Sequence, residues 1–173
     1  MVKKWQTVVF LVRHGETDLG YSPQSSLDNQ RRLTERGRRQ AEAVGEYLGE
    51  FQSSVVYTSP AVRCQDTAQI IAKKIGEKAA VEVEPRLNET YTPETHRQAE
   101  RRGESILERL VSSHKGAQVI AVTHQIVIGT IVADFTGRDY FQIPCGFADV
   151  YRLVFANSNL IEAIHLQPAE AVS

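Results

Sequence analysis

Arg13 and His14 stand directly after the apolar run Val8-Val9-Phe10-Leu11-Val12, and Gly15-Glu16-Thr17 follow them. An arginine offers a permanently charged fork of donors for an oxyanion. A neutral histidine offers a nucleophilic nitrogen or a carrier for a proton. A glycine lets backbone approach a ligand closely. Together these residue types suit an anion. His124 closes a second apolar run, Gln118 to Val122, after Thr123, and Arg63 follows a third, Ser54 to Thr58, by five residues. Taken singly, each of these side chains is an ordinary solvated charge or structural histidine. Their shared position just beyond apolar runs is what gives them meaning. Glu89 is a further candidate for proton transfer, as a carboxyl can serve as acid and base in turn.

These residues must be positioned by the elements around them. Val8–Val12, Ser54–Thr58, Val81–Val83 and Gln118–Val122 read as strands, three of them continuous apolar runs of the buried type. Between them the spacing predicts helices. One opens after Thr34 as N-cap, with Ala41, Val44 and Leu48 on one face. A second has Pro60 in its first turn, carries Ala68, Ile71 and Ile75 inward, and stops at Gly76. A third covers Glu104–Ser112, and a fourth Ile126–Phe135, closing at Gly137. Asp18–Arg32 reads as a polar loop, and Val150–Phe155 with Leu160–Ile164 as a closing hairpin around Asn157-Ser158-Asn159. Strand–helix alternation predicts a three-layer α/β/α sandwich with a mostly parallel sheet, formed as one domain over residues 1–173. Ligands of such sheets bind at the carboxyl ends of the strands. Parallel neighbours would bring Arg13, His14, Arg63 and His124 to one edge, where helix N-termini add favourable potential for an anion.

The composition excludes several other classes. The 173 residues carry a net charge of -1, which leaves no broad footprint for nucleic acid or an anionic membrane. His96, His114 and His165 have no metal-ligand spacing, so no zinc site is expected, and two arginines with a second histidine can play the part metal ions play elsewhere, so no metal or cofactor is required; Cys64 and Cys145 form no CxxC pair. Lys3-Lys4 precedes an apolar run too short for a leader, and no stretch is long enough to cross a bilayer, so a cytoplasmic chain is expected. Arg31-Arg32 with Arg36, Arg38 and Arg39 reads as a solvated basic face. Nothing in the sequence specifies an oligomeric state.

Leu11-Val12-Arg13-His14-Gly15-Glu16-Thr17 resembles the signature of the histidine phosphatase superfamily, with its phosphoglycerate mutase-like fold. Leu33-Thr34-Glu35-Arg36-Gly37, Tyr57-Thr58-Ser59-Pro60 with Arg63 and Thr67-Ala68, Leu87-Asn88-Glu89, and Val122-Thr123-His124 are similar to that family in the right order. The compact length is similar to that of the small phosphohistidine phosphatases. The resemblance implies a metal-independent phosphatase acting on a phosphorylated small molecule or phosphoprotein. It makes His14 the nucleophile that forms a phosphohistidine. Arg13 and Arg63 would bind phosphate, with His124 as the second histidine of the phosphate pocket. Glu89 would be general acid and then base.

The chain departs from the family pattern in three places. Gly20 stands where the family commonly has an asparagine that binds phosphate. The segment between Glu89 and Gly103-Glu104-Ser105 is short, which favours an open site and hydrolysis over a mutase's guarded intermediate. Gln125 follows His124 where glycine is common. Two alternatives stay open at this point: a weakly catalytic phosphate-binding protein on the same fold, and a phosphomutase. Glu94 and Glu16 are the substitutes for Glu89 as acid, although Glu16 reads as a structural part of the signature.

Overall fold

The central strand is β1, Gln6–Arg13, in a computed structural model that describes residues 5–76 and 79–173. Five further strands join it: β2 (Val55–Thr58), β3 (Ala80–Val83), β4 (Gln118–Thr123), β5 (Val150–Ala156) and β6 (Asn159–Leu166). Their order in the sheet is β3-β2-β4-β1-β5-β6. β1, β2, β3 and β4 run parallel, while β5 lies antiparallel to β1 and β6 antiparallel to β5. The expected hairpin is therefore part of the same sheet, and the sheet is mixed.

Five helices occur among the described residues: α1 (Ser25–Asp28), α2 (Glu35–Leu48), α3 (Val62–Ile75), α4 (His96–Ser113) and α5 (Gln125–Thr136). Successive residues of a strand point to opposite faces. Accordingly Phe10 and Val12 join Val44, Leu48, Ala68 and Ile71 of α2 and α3 in one core. Val9 and Leu11 join Ile106, Leu110, Ile128 and Ile131 of α4 and α5 in the other. Burial on both faces explains why the runs in β1 and β4 are continuous rather than alternating. The sheet and the helices on its two faces are the three layers of an α/β/α sandwich.

The register sets the site. Arg13 lies opposite Thr123 across the parallel β1–β4 pair, and the His14 amide donates to the Thr123 carbonyl at 3.1 Å. His14 and His124 are thus one residue beyond the ends of neighbouring strands. Thr58 lies opposite Val122, so Ser59 emerges beside His124. Arg63 is the second residue of α3, and His124 is itself the N-cap of α5. The N-termini of both helices therefore meet at the strand ends.

Strand ends shift by one or two residues from expectation, and the larger differences are in the helices. The polar loop contains a four-residue helix, α1. α4 begins eight residues earlier than its apolar stripe suggests, because Thr95 and Gln98 form a capping box ahead of a polar first half. α3 starts at Val62, so Pro60 sits outside it, before the N-cap Ala61. Lys3-Lys4, weighed as the flank of a leader, lie outside the described residues. No described helix is long and apolar enough to cross a membrane.

Candidate active site

His14 is buried, with Nδ1 2.8 Å from the carbonyl oxygen of Gly15. A carbonyl only accepts, so Nδ1 carries the hydrogen and Nε2 keeps its lone pair. Arg63 Nε donates to that Nε2 at 3.1 Å. Burial, reinforced by the nearby Arg63 charge, pushes the His14 pKa well below its ordinary value, so the ring is neutral. Burial does the same to His124, with His14 and Arg63 adding to it. Arg63 Nη2 donates to His124 Nδ1 at 3.0 Å, which leaves Nε2–H to donate to Ser59 Oγ at 2.8 Å. Ser59 in turn donates to Asn88 Oδ1 at 3.2 Å. Both histidine tautomers thus follow from one fact, that a guanidinium can only donate.

Arg63 has no exposed surface, so its charge needs a partner. Asp28, equally buried, supplies it: Nη1 donates to the Asp28 carbonyl at 2.6 Å and Nη2 to Oδ2 at 2.7 Å. Asp28 also accepts from Arg31 Nε at 2.7 Å, the Ser22 amide at 3.0 Å and the Tyr91 hydroxyl at 2.6 Å. Burial would raise its pKa, but the bonds from Tyr91, Arg31 and Ser22 outweigh it and hold the carboxylate ionised. Asp28 was not apparent as a site residue in the sequence. Arg31, read there as part of a solvated face, is instead bonded to Asp28, to Thr17 Oγ1 and to the Leu19 carbonyl. The solvated reading fails at Arg31 because a buried carboxylate lies three residues before it.

Arg13 Nη1 donates to the Cys145 carbonyl at 2.7 Å, and the guanidinium lies 4.1 Å from the centroid of the Phe147 ring. Its Nε is buried without a hydrogen-bond partner. Glu89 follows the 3₁₀ turn Pro85–Leu87 and is buried, and its Oε1 accepts from the Thr90 amide at 2.9 Å. Burial pushes its pKa up to about 7, against the pull of that amide and of the Arg63 charge. Arg13, His14, Arg31 and Glu89 line one cleft of about 170 Å³ with Leu19, Gly20, Tyr21, Gln125, Ile126 and Phe147. Arg63 and His124 lie fully buried behind His14. All five residues singled out in the sequence are thus assembled together, three on the cleft wall and two beneath it.

The substitutes for Glu89 are committed elsewhere. Glu16 binds Thr34 and Arg36, and Glu94 forms a two-pronged pair with Arg102. Cys64 lies 3.5 Å from His124 Nε2, but burial pushes its thiol up to about 12, so it is a packing residue rather than a nucleophile. The glycine of the signature has a steric reason. A Cβ on Gly15 would stand 2.3 Å from the Gly37 carbonyl oxygen, and one on Gly37 would stand 2.2 Å from the Glu16 oxygen. Strand end and helix start therefore touch backbone to backbone. A larger hollow of about 560 Å³, lined by Arg86, Leu107, Phe135 and Ser158 among others, contains none of the five residues. Among the described residues no group of three histidine, cysteine, aspartate or glutamate side chains is arranged to hold a metal ion.

Comparison with known proteins gives the family. The model of the histidine phosphatase superfamily (branch 1) matches residues 9–94 and 90–161. The metal-independent phosphoserine phosphatase of Arabidopsis thaliana is 31% identical over 164 residues, 75% of this chain and 69% of that protein. An uncharacterised phosphatase of Bacillus subtilis (strain 168), PhoE, is 42% identical over 65 residues, but that stretch is only 38% of this chain and 34% of PhoE. The solved structure of the protein histidine phosphatase SixA complexed with tungstate superposes with a TM-score of 0.72 at 19% identity, covering 93% of this chain and 97% of SixA. That last likeness is one of fold. The chain belongs to branch 1 of the histidine phosphatase superfamily and is an enzyme of the phosphatase or mutase type.

Proposed function

We propose that this protein is a metal-independent phosphatase that hydrolyses a phosphomonoester or phosphoprotein through a phosphohistidine on His14, with residues 1–173 acting as one catalytic domain. The observation that carries this reading is the pairing of a neutral His14, its Nε2 lone pair free of hydrogen, with a buried Glu89 on the same cleft wall. Nε2 attacks phosphorus as the bond to the leaving oxygen breaks, and the Glu89 carboxyl gives that oxygen its proton. Glu89, now a carboxylate, takes a proton from water as the water attacks phosphorus. The P–N bond breaks, inorganic phosphate leaves, and both side chains return to their starting states. A pKa of about 7 suits a group that must give and regain a proton near neutrality.

The cations supply the charge stabilisation that phosphoryl transfer requires. Arg63 Nε sits against the nitrogen that would bond phosphorus, so on attack its N–H passes from that lone pair to a phosphoryl oxygen. His124 supports Arg63 and faces His14, the ring centroids being 5.4 Å apart. The unpartnered Nε of Arg13 suits another oxygen. Arg31 lines the cleft beside Gly20, and so supplies a donor where the family's asparagine is missing. Leu19, Tyr21, Ile126 and Phe147 give the leaving-group side an apolar wall. The names of the relatives point both ways on size, one being a phosphoserine phosphatase and the other a protein histidine phosphatase.

The test is trapping with ³²P-labelled aryl phosphate in the presence of EDTA, quenched in alkaline SDS. Wild-type protein should release phosphate and yield an acid-labile, base-stable phosphoprotein. His14→Ala should lose the trapped species and at least about 10⁴-fold of turnover. Turnover by His14→Ala at the wild-type rate refutes the nucleophile, and phosphoryl transfer between substrate hydroxyls without net phosphate release favours the mutase.

A further inference from the structure

Glu89 sits on a short segment with little secondary structure of its own, residues 86–94, yet a general acid must be held to within a fraction of an ångström. Three consecutive carbonyls of that segment are gripped by side chains. Thr123 Oγ1 donates to the Leu87 carbonyl at 2.6 Å. Arg102 Nη1 donates to the carbonyls on either side, Arg86 at 2.6 Å and Asn88 at 2.7 Å. The same guanidinium reaches the far stem, where Nε and Nη2 meet the two carboxylate oxygens of Glu94 at 2.8 and 2.7 Å. One planar fork on α4 therefore ties the start of the segment to its end, with Glu89 between.

We infer that Arg102 is the positioning residue for the general acid, holding the Glu89 segment closed from outside the cleft. It lines no part of the cleft, and its bonds are to the segment that carries Glu89. The inference rests on Glu89 being the acid. Lysine cannot replace it: an ammonium is a point donor and cannot serve two carbonyls and both carboxylate oxygens at fixed angles. The segment has no long insertion to steady it, and the side chain of Arg102 takes over that task.

Leaving-group dependence separates this role from a merely structural one. A good leaving group such as p-nitrophenolate departs without a proton, whereas an alkoxide needs the acid. Hydrolysis of p-nitrophenyl phosphate and of an alkyl phosphate is measured for wild type, Arg102→Lys, Glu94→Gln and Glu89→Gln, each with a thermal melt to confirm folding. Arg102→Lys should lose about 10- to 100-fold on the alkyl ester and less than about 3-fold on the aryl ester in kcat/KM, which reports transfer to His14 and not the later attack of water that both esters share. Glu94→Gln should show the same bias more weakly, and carries the test if Arg102→Lys does not fold. If Glu89→Gln is biased but Arg102→Lys and Glu94→Gln lose both activities equally, or neither, the positioning role is overturned while the acid stands. If Glu89→Gln itself shows no bias, the acid assignment fails and the positioning role falls with it.

Discussion

The floor of the site and the segment that carries Glu89, the proposed acid, are built by different means. The floor is Arg13, His14, Arg63 and His124, fixed by strand register and two helix starts and neutralised by the buried carboxylate of Asp28. The acid segment rests on side chains reaching in from elsewhere, namely Arg102, Thr123 and Ser59. Phosphoryl chemistry needs a rigid, precharged cradle for an anion of constant shape. Substrates differ beyond the phosphate, and a segment held by a few side-chain bonds can change without disturbing the cradle. One fold can in this way keep a reaction while its substrates vary.

The largest break in that comparison comes from the floor. Asp28→Ala removes the partner of a fully buried guanidinium, leaving Arg63 charged and unpaired. We expect a loss of about 3–5 kcal/mol in unfolding free energy by urea titration. A change under 1 kcal/mol would show that water or another group already shares that charge. On the acid segment the expected effect is smaller and of opposite sign. The folded pKa of Glu89, about 7, lies above the ordinary 4.5. The stability linked to its protonation is therefore full below about pH 4.5 and is lost as pH rises through 7. Glutamine has no such titration. Glu89→Gln should gain about 1–3 kcal/mol on wild type between pH 4.5 and 8, read from paired unfolding curves at the two pH values. An unchanged difference would mean that the carboxyl is solvated in solution. The smallest effect sharpens the contrast with pairs in the open: Arg39 and Glu35 are exposed and 3.8 Å apart, and Arg39→Ala should move stability by less than about 0.5 kcal/mol.

What the sequence made legible follows the same division. His14, Arg13 and His124 close apolar runs, so their place at the strand ends could be read before any contact was known. Asp28 could not be read, because its meaning lies in Arg63, 35 residues away. Arg31 was obscured by a run of basic neighbours and is explained only by Asp28. The first half of α4 lacked an apolar stripe because few of its residues are buried, Ala99 and Gly103 among them. Its signal was local and present: Thr95 and Gln98 stand at capping-box spacing. Arg102, in that same half, was not legible, as two of its partners are backbone carbonyls that no residue type announces and the third is a carboxylate eight residues away.

The backbone contact between Gly15 and Gly37 also bears on how this protein could be re-engineered. With the Thr17–Leu33 bridge and the Thr34 amide bonded to the Glu16 carbonyl at 2.9 Å, it pins both feet of the stretch from residue 18 to 32. A stretch with pinned feet behaves as a cassette. Its ends meet whatever its length, and doubling that length adds only about 0.6 kcal/mol of closure entropy. A graft that keeps an aspartate and an arginine at the places of Asp28 and Arg31 can therefore carry a new cleft wall onto an unchanged floor.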